Sequence, residues 1–201
     1  MAKLKAPLLS LGASGAIGKA LVFFGWKGLN VVREYVIPAN PKTKPQTTQR
    51  GYLTKAVDTV HAAQALPDGA LNQTDVSAYA LWAAVVKAAT TWFNQAVRNM
   101  IDQQILGKTA NVYRDGAVTP EPGGLTVSVY SHAQAPTEGA FWYGTSRTAL
   151  ISSKPATFDA GKCLGDITDL TKGTKYFIQF RPTAPDSLVG SWSGIYYGTP
   201  T

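Results

Sequence analysis

The sequence predicts an α+β chain in two modules: an N-terminal β-hairpin joined to a two-helix hairpin, followed by a C-terminal all-β sandwich. Three observations carry this. β-Branched and aromatic runs at 21–24 and 29–37 flank Gly25-Trp26-Lys27-Gly28, the layout of a hairpin whose glycines permit the positive φ of a turn. Apolar residues then recur at spacings of three and four between Leu53 and Met100, which is helical periodicity. From Leu125 onward, short apolar stretches alternate with Gly/Pro turns, the pattern of a sandwich. The expected divisions are a Gly/Ala-rich arm over 1–20, a basic hairpin-and-helix module over 21–110, and a sandwich over 121–201.

Taken in order, residues 1–20 favour neither helix nor strand and read as an extended or partly ordered arm. In the second hairpin strand, Val32, Glu34 and Val36 share one face and Val31, Arg33, Tyr35 and Ile37 the other. Pro38-Ala39-Asn40-Pro41 ends it, because each proline removes an amide donor and restricts the residue before it. A first helix is expected to open near Thr43 or Lys44, with Pro45 in its first turn, and to stop at Pro67-Asp68-Gly69. A second is expected to run unbroken over 75–106, with a seam of Tyr79, Trp82, Val86, Ala89, Phe93, Ala96 and Met100. Trp82 and Phe93 are its structural anchors, packing against the first helix, the alternative being a seam for copies of the chain or for a partner helix.

The formal net charge of +7 is confined to the first third. Residues 1–60 hold nine Lys/Arg against two Asp/Glu, residues 61–120 four against four, and residues 121–201 six against six. Such an asymmetry concerns partners, not fold. Charged residues are only 15% of the chain, below the roughly 25% usual for soluble domains, which points to surface covered by neighbours. No apolar run is long enough for a membrane helix. The single cysteine, Cys163, leaves no intramolecular disulfide and no metal-ligand spacing.

Little in the sequence speaks for catalysis, and no cofactor or metal is expected. Gly12, Gly15 and Gly18 have the spacing of a dinucleotide-binding glycine loop, but that loop needs a strand before it, a helix after it, and a βαβ succession beyond. Here Gly25-Trp26-Lys27-Gly28 follows at once. His61, His132, Asp166 and Asp169 form no pattern with a nucleophile, and Cys163 reads as a small buried hydrophobe. The basic stretch itself, with Lys27, Arg33, Lys42, Lys44, Arg50 and Lys55 interleaved with Trp26, Tyr35 and Tyr52, has the composition of a surface meeting phosphates and bases. Contact to nucleic acid through residues 27–55 is therefore the alternative to a protein partner, and a dinucleotide-dependent oxidoreductase using Gly12, Gly15 and Gly18 is the distant one.

Two resemblances add to this. In LTKGTKYFIQFRP, Leu170, Gly173, Thr174 and Tyr176, followed by alternation through Ile178 and Phe180, resemble the turn and strand of a fibronectin type III domain. That resemblance implies an immunoglobulin-like sandwich, with Leu170 in its core and Tyr176 as the corner tyrosine bonded to backbone upstream. The stretch WKGLNVVREYVIPANPKTKPQTTQR resembles a group of poorly characterised proteins encoded by bacteriophages and prophages. Its pattern falls on Trp26, Lys27, Gly28, Arg33, Pro38, Asn40, Pro41, Thr43, Gln46 and Arg50, with a tryptophan-bearing helix after it, as Trp82 provides. The resemblance implies a virion component of head, neck or tail, assembled in the host cytoplasm and without catalytic residues. The expected partners are other virion subunits and copies of the chain itself, with no membrane. The expected subunit interface comprises Trp26, Lys27, Arg33, Tyr35, Asn40, Gln46 and Arg50, because aromatic and arginine side chains are the types enriched at interfaces.

Overall fold

The computed structural model describes residues 2–4, 14–37, 39–87 and 91–201. They form a mixed α+β protein whose sheets are all antiparallel. The chain divides into two compact units, Met1–Thr43 and Lys44–Thr201. The expected division between 110 and 121 is thus corrected: the helices belong with the C-terminal strands, for reasons of shared packing given below.

The first unit is a four-stranded sheet of β1 (Ala2–Leu4), β2 (Gly15–Ile17), β3 (Leu21–Trp26) and β4 (Leu29–Glu34), in the order β1-β4-β3-β2. The hairpin is present but its turn is tighter than expected. Trp26 pairs with Leu29, so only Lys27 and Gly28 form the loop, at φ 49° and 77°. Two consecutive positive φ values match the strand twist in a two-residue hairpin. The arm expected over 1–20 is corrected where it is described: residues 2–4 and 15–17 pair with the two outer edges of the hairpin. Strand edges carry unpaired backbone groups that recruit such segments whatever their side chains, which is why Gly/Ala-rich sequence concealed them. Gly12 and Pro38 lie outside the described residues. β4 stops at Glu34; Tyr35 donates its N–H to the Ala20 carbonyl (2.8 Å), and Val36 and Ile37 beyond it are exposed.

In the second unit, α1 (Lys44–Gln64) places Pro45 in its first turn and buries a stripe of Ala56, Val60 and Ala63. The expected long helix is corrected to two, α2 (Gln73–Val86) and α3 (Trp92–Ile105). Lys87 takes the left-handed conformation (φ 57°) and closes α2 by donating to the Ala83 carbonyl; Thr91 opens α3, its side chain accepting from the Asn94 N–H. A hydroxyl that satisfies a free backbone donor favours a helix start over a helix interior. Of the expected seam, Tyr79, Trp82, Ala96 and Met100 are buried together with the α1 stripe. Phe93 is half-buried against that cluster, Val86 is exposed, and Ala89 lies outside the described residues.

The remaining chain forms β5 (Tyr113–Glu121), β6 (Gly124–Ser131), β7 (Glu138–Gly144), β8 (Ser152–Pro155), β9 (Thr157–Asp159), β10 (Lys162–Ile167), β11 (Tyr176–Ala184) and β12 (Tyr196–Gly198). They make two sheets, ordered β5-β6-β10-β9 and β12-β11-β7-β8. Alternate residues of β6 (Leu125, Val127, Val129) and of β10 (Cys163, Ile167) meet Phe141, Ile178 and Phe180 of the other sheet in one core. Phe180 sits at its centre, 5.2 Å from the Phe141 ring and 5.3 Å from Tyr113.

Helices and sheets share residues. Ala78 of α2 is part of the sandwich core, while Val112 and Ile195 are part of the helical core. The closest approach is at Gly194, where a Cβ would stand 2.7 Å from the backbone of Ala78 and Tyr79, and Ile195 donates to the Ala78 carbonyl at 2.9 Å. Since overpacking costs about 1 to 3 kcal/mol, Gly194→Val is expected to lower stability by about 2 kcal/mol, read as a reduced denaturant midpoint at unchanged slope. A variant of native stability would show that helix and strand can separate there at no cost.

Candidate docking surface

The first unit leaves several large apolar side chains exposed, among them Ile17, Leu21, Trp26 and Leu29. Side chains directly opposite on paired strands share a face, so Trp26, Phe24, Val22, Leu29, Val31 and Arg33 occupy one face of the β3–β4 hairpin. Only Val31 among them is buried; Trp26 and Leu29 are 54% and 46% exposed. On the opposite face Phe23 is buried, while Ile17 and Leu21 are exposed. The Arg33 guanidinium lies over the Phe24 ring at 5.4 Å, a cation–π contact that holds the arginine along the sheet.

The structure brings some of the expected interface residues together and leaves others apart. Trp26 and Arg33 lie on the same sheet face, Lys27 is in the turn, and Tyr35 is half-buried just past β4. Asn40 is exposed in the segment leading to Thr43. Gln46 and Arg50 belong to the second unit, on the first turns of α1, where residues 44–51 are all exposed. The structural residues fall in cores: Trp82 in the helical one, Phe93 against it with its ring 6.0 Å from His61, and Leu170 in the sandwich. The Tyr176 ring packs on the sandwich core and its hydroxyl accepts a hydrogen bond from the Thr171 N–H (3.1 Å).

The groups considered for chemistry are placed otherwise. Gly15 lies in β2 and Gly18 in the turn before β3, so the segment after the glycines continues as strand where a phosphate-binding loop would open a helix. Burial pushes the Cys163 thiol up to about 12, which leaves it unreactive at neutral pH. Burial, and secondarily Arg114, lowers the pKa of His132. Among the described residues no group of three His, Cys, Asp or Glu side chains could hold a metal ion, and no helix is long and apolar enough to cross a membrane.

Sequence reasoning missed a buried polar junction. Asp75, fully buried at the start of α2, accepts from the Tyr196 hydroxyl (2.7 Å) and the Gly116 N–H (2.9 Å) through one oxygen, and from the Asn72 N–H (2.9 Å) through the other. Asn72 returns the bond by accepting from the Asp75 N–H, completing a capping box. Close by, the Tyr79 hydroxyl accepts from the Tyr113 N–H (3.0 Å). Desolvation raises the pKa of Asp75 against the opposing pull of its hydrogen bonds, first that of Tyr196, and burial raises those of Tyr79 and Tyr196. The capping pair was legible as a helix start; the partner 121 residues away was not. A second unforeseen feature is a ladder in which Arg181 stands 5.2 Å from the Trp142 ring and 4.4 Å from Trp192, which in turn stacks on Trp82 at 6.3 Å. It ties β7, β11 and α2 together, and because Trp192 has neighbours of both kinds it is a packing element.

No protein-family model and no curated protein sequence matches this chain.

Proposed function

We propose that the chain is a non-catalytic structural component of a bacteriophage virion, docking through its N-terminal unit and carrying an immunoglobulin-like sandwich of the fibronectin type III kind. The observation that carries the docking role is the exposed pair Trp26 and Leu29 on a sheet flanked by Lys27 and Arg33. An aromatic anchor beside an arginine is the composition of an interface centre. The same feature favours a protein partner over nucleic acid, whose binding rests on cations tracking a phosphate backbone and not on aliphatic side chains. The fibronectin-like reading is supported by the strand orders: labelled A to G along the chain, with β8 as an added strand beside C, they read A-B-E-D and G-F-C. It is further supported by the bond between the Tyr176 hydroxyl and backbone five residues upstream.

The role is tested by particles purified from the host that produces this chain. Trp26→Ala, Arg33→Ala and Tyr35→Ala are each expected to cost about 1 to 2 kcal/mol of association and to reduce incorporation, while the free variants melt like the parent. Absence of the parent chain from particles, or normal incorporation of all three variants, would overturn the role.

A further inference from the structure

The outer face of the β12-β11-β7-β8 sheet carries a cation for which the chain provides no counter-charge. Ile178 and Phe180 of β11 belong to the sandwich core, so the alternate residues Gln179 and Arg181 stand on the other face. Trp142 of β7 meets the Arg181 guanidinium from one side of β11, and Trp192, in the segment leading into β12, from the other, at 5.2 and 4.4 Å. The Arg181 Nε–H donates to Gln179 Oε1 (3.1 Å), and buried Gln179 is itself tied to the Ser193 carbonyl through Nε2 (2.9 Å). The guanidinium is thus fixed in position and orientation. Neither Nη has an acceptor among the described residues, neither is shut off from solvent, and no carboxylate of those residues lies within ion-pair distance. Burial lowers the pKa of Arg181, as expected of a cation that has lost water without gaining an opposite charge.

We propose that this guanidinium is the docking point for a carboxylate side chain of a partner protein. An arginine fork with free Nη groups matches the two oxygens of a carboxylate, and such bidentate pairs are charge-assisted and strong. Here the fork is ordered before the partner arrives, by two indoles and Gln179, so little side-chain freedom remains to be lost on binding. Tryptophan and arginine are also the residue types that dominate association energies, and Trp192 is 36% exposed beside half-buried Trp142. An acidic sugar would present the same carboxylate, but a pyranose is held chiefly by stacking on a free aromatic face. The Trp192 ring already has Arg181 and Trp82 against it, which leaves a poorer platform for a sugar than for a side chain that needs only the guanidinium. The site lies in the second unit and stands or falls apart from the docking role of Trp26 and Arg33.

The test follows the indole N–H resonances of the five tryptophans in the full-length chain as acetyl-Gly-Glu-Gly-amide is added, each signal being assigned by replacing one tryptophan at a time with phenylalanine. Saturable shifts of Trp142 and Trp192 in the millimolar range are expected, weakening as salt is raised; the same peptide with glutamine should shift neither. Arg181→Lys, which keeps the charge and loses the fork, should weaken binding by about tenfold or more. The glutamine comparison uses the unaltered protein, so the proposal stays testable if that variant fails to fold. Absence of shifts at Trp142 and Trp192, equal shifts with the glutamine peptide, or full affinity in Arg181→Lys would overturn it. So would shifts confined to Trp26, which would place the carboxylate on the basic first unit. Tighter binding of a methyl galacturonoside or of inorganic phosphate than of the glutamate peptide would overturn the protein side chain as the ligand.

Discussion

Replacing Asp75 with alanine is expected to destabilise the second unit by about 3 kcal/mol, because two buried donors and one half-buried donor then lose their acceptor at once and each unsatisfied buried group costs about 1 to 3 kcal/mol. The donors are the Tyr196 hydroxyl and the N–H groups of Gly116 and Asn72. They come from β12, β5 and the start of α2, so the carboxylate is a joint between helices and both sheets. Part of the gross loss is offset, since the variant no longer desolvates a charge. The measurement is chemical denaturation followed by far-UV circular dichroism; a variant within about 1 kcal/mol of the parent would mean that water replaces the carboxylate.

The pH dependence of this joint runs against the usual behaviour of a carboxylate. Burial raises the folded-state pKa of Asp75 above the ordinary 3.8. A group raised in this way binds its proton more tightly folded than unfolded. Its contribution is therefore fully present below the unfolded value and is lost as pH rises through the folded one. Asp75→Asn removes the titration while keeping the shape. The stability of the parent relative to this variant should fall as pH is raised from about 4 towards neutrality, and a difference that stays flat or grows would show that the ionised form is the one the fold prefers.

The hairpin, the existence of helices, the start of α1 and the alternation in β6 and β11 were legible because each is local: a period, a cap or a turn residue announces it. What escaped the sequence is what depends on partners distant in the chain. Nothing near Ala2 or Gly15 says that these segments pair with β4 and β3, since pairing there rests on backbone groups common to all residues. The break between α2 and α3 turns on Lys87 adopting a positive φ and on Thr91 capping, against an apolar seam that reads straight through both. The interface candidates divided for a related reason. The pattern spanning Trp26 to Arg50 is continuous in sequence, yet it crosses from one compact unit to the other at Thr43, so Gln46 and Arg50 belong to a helix and Trp26 and Arg33 to a sheet.

The largest effect expected is on the fragment 121–201, which reads from the sequence as a domain able to fold by itself. It is expected to show no cooperative thermal transition, whereas 44–201 unfolds as one unit. Cutting at 121 removes almost all of β5 and with it Tyr113, whose ring packs on Phe180 at the centre of the sandwich core. It also removes Ala78, another member of that core, and exposes β6 as a new edge along its length. Tyr196, fully buried, loses the carboxylate that accepts its hydroxyl proton, and a buried hydroxyl without a partner is costly. Against these losses the fragment keeps the pairings among β6 to β12. The net stability of a domain is about 5 to 15 kcal/mol, so the loss of a core aromatic contact and of Ala78, of nearly an entire strand and of a buried polar joint exceeds what such a margin tolerates. Calorimetry on both fragments decides the matter. A sharp transition in 121–201 would show that the helices decorate a self-sufficient sandwich; its absence, with a single transition in 44–201, would show that helices and sheets form one cooperative body.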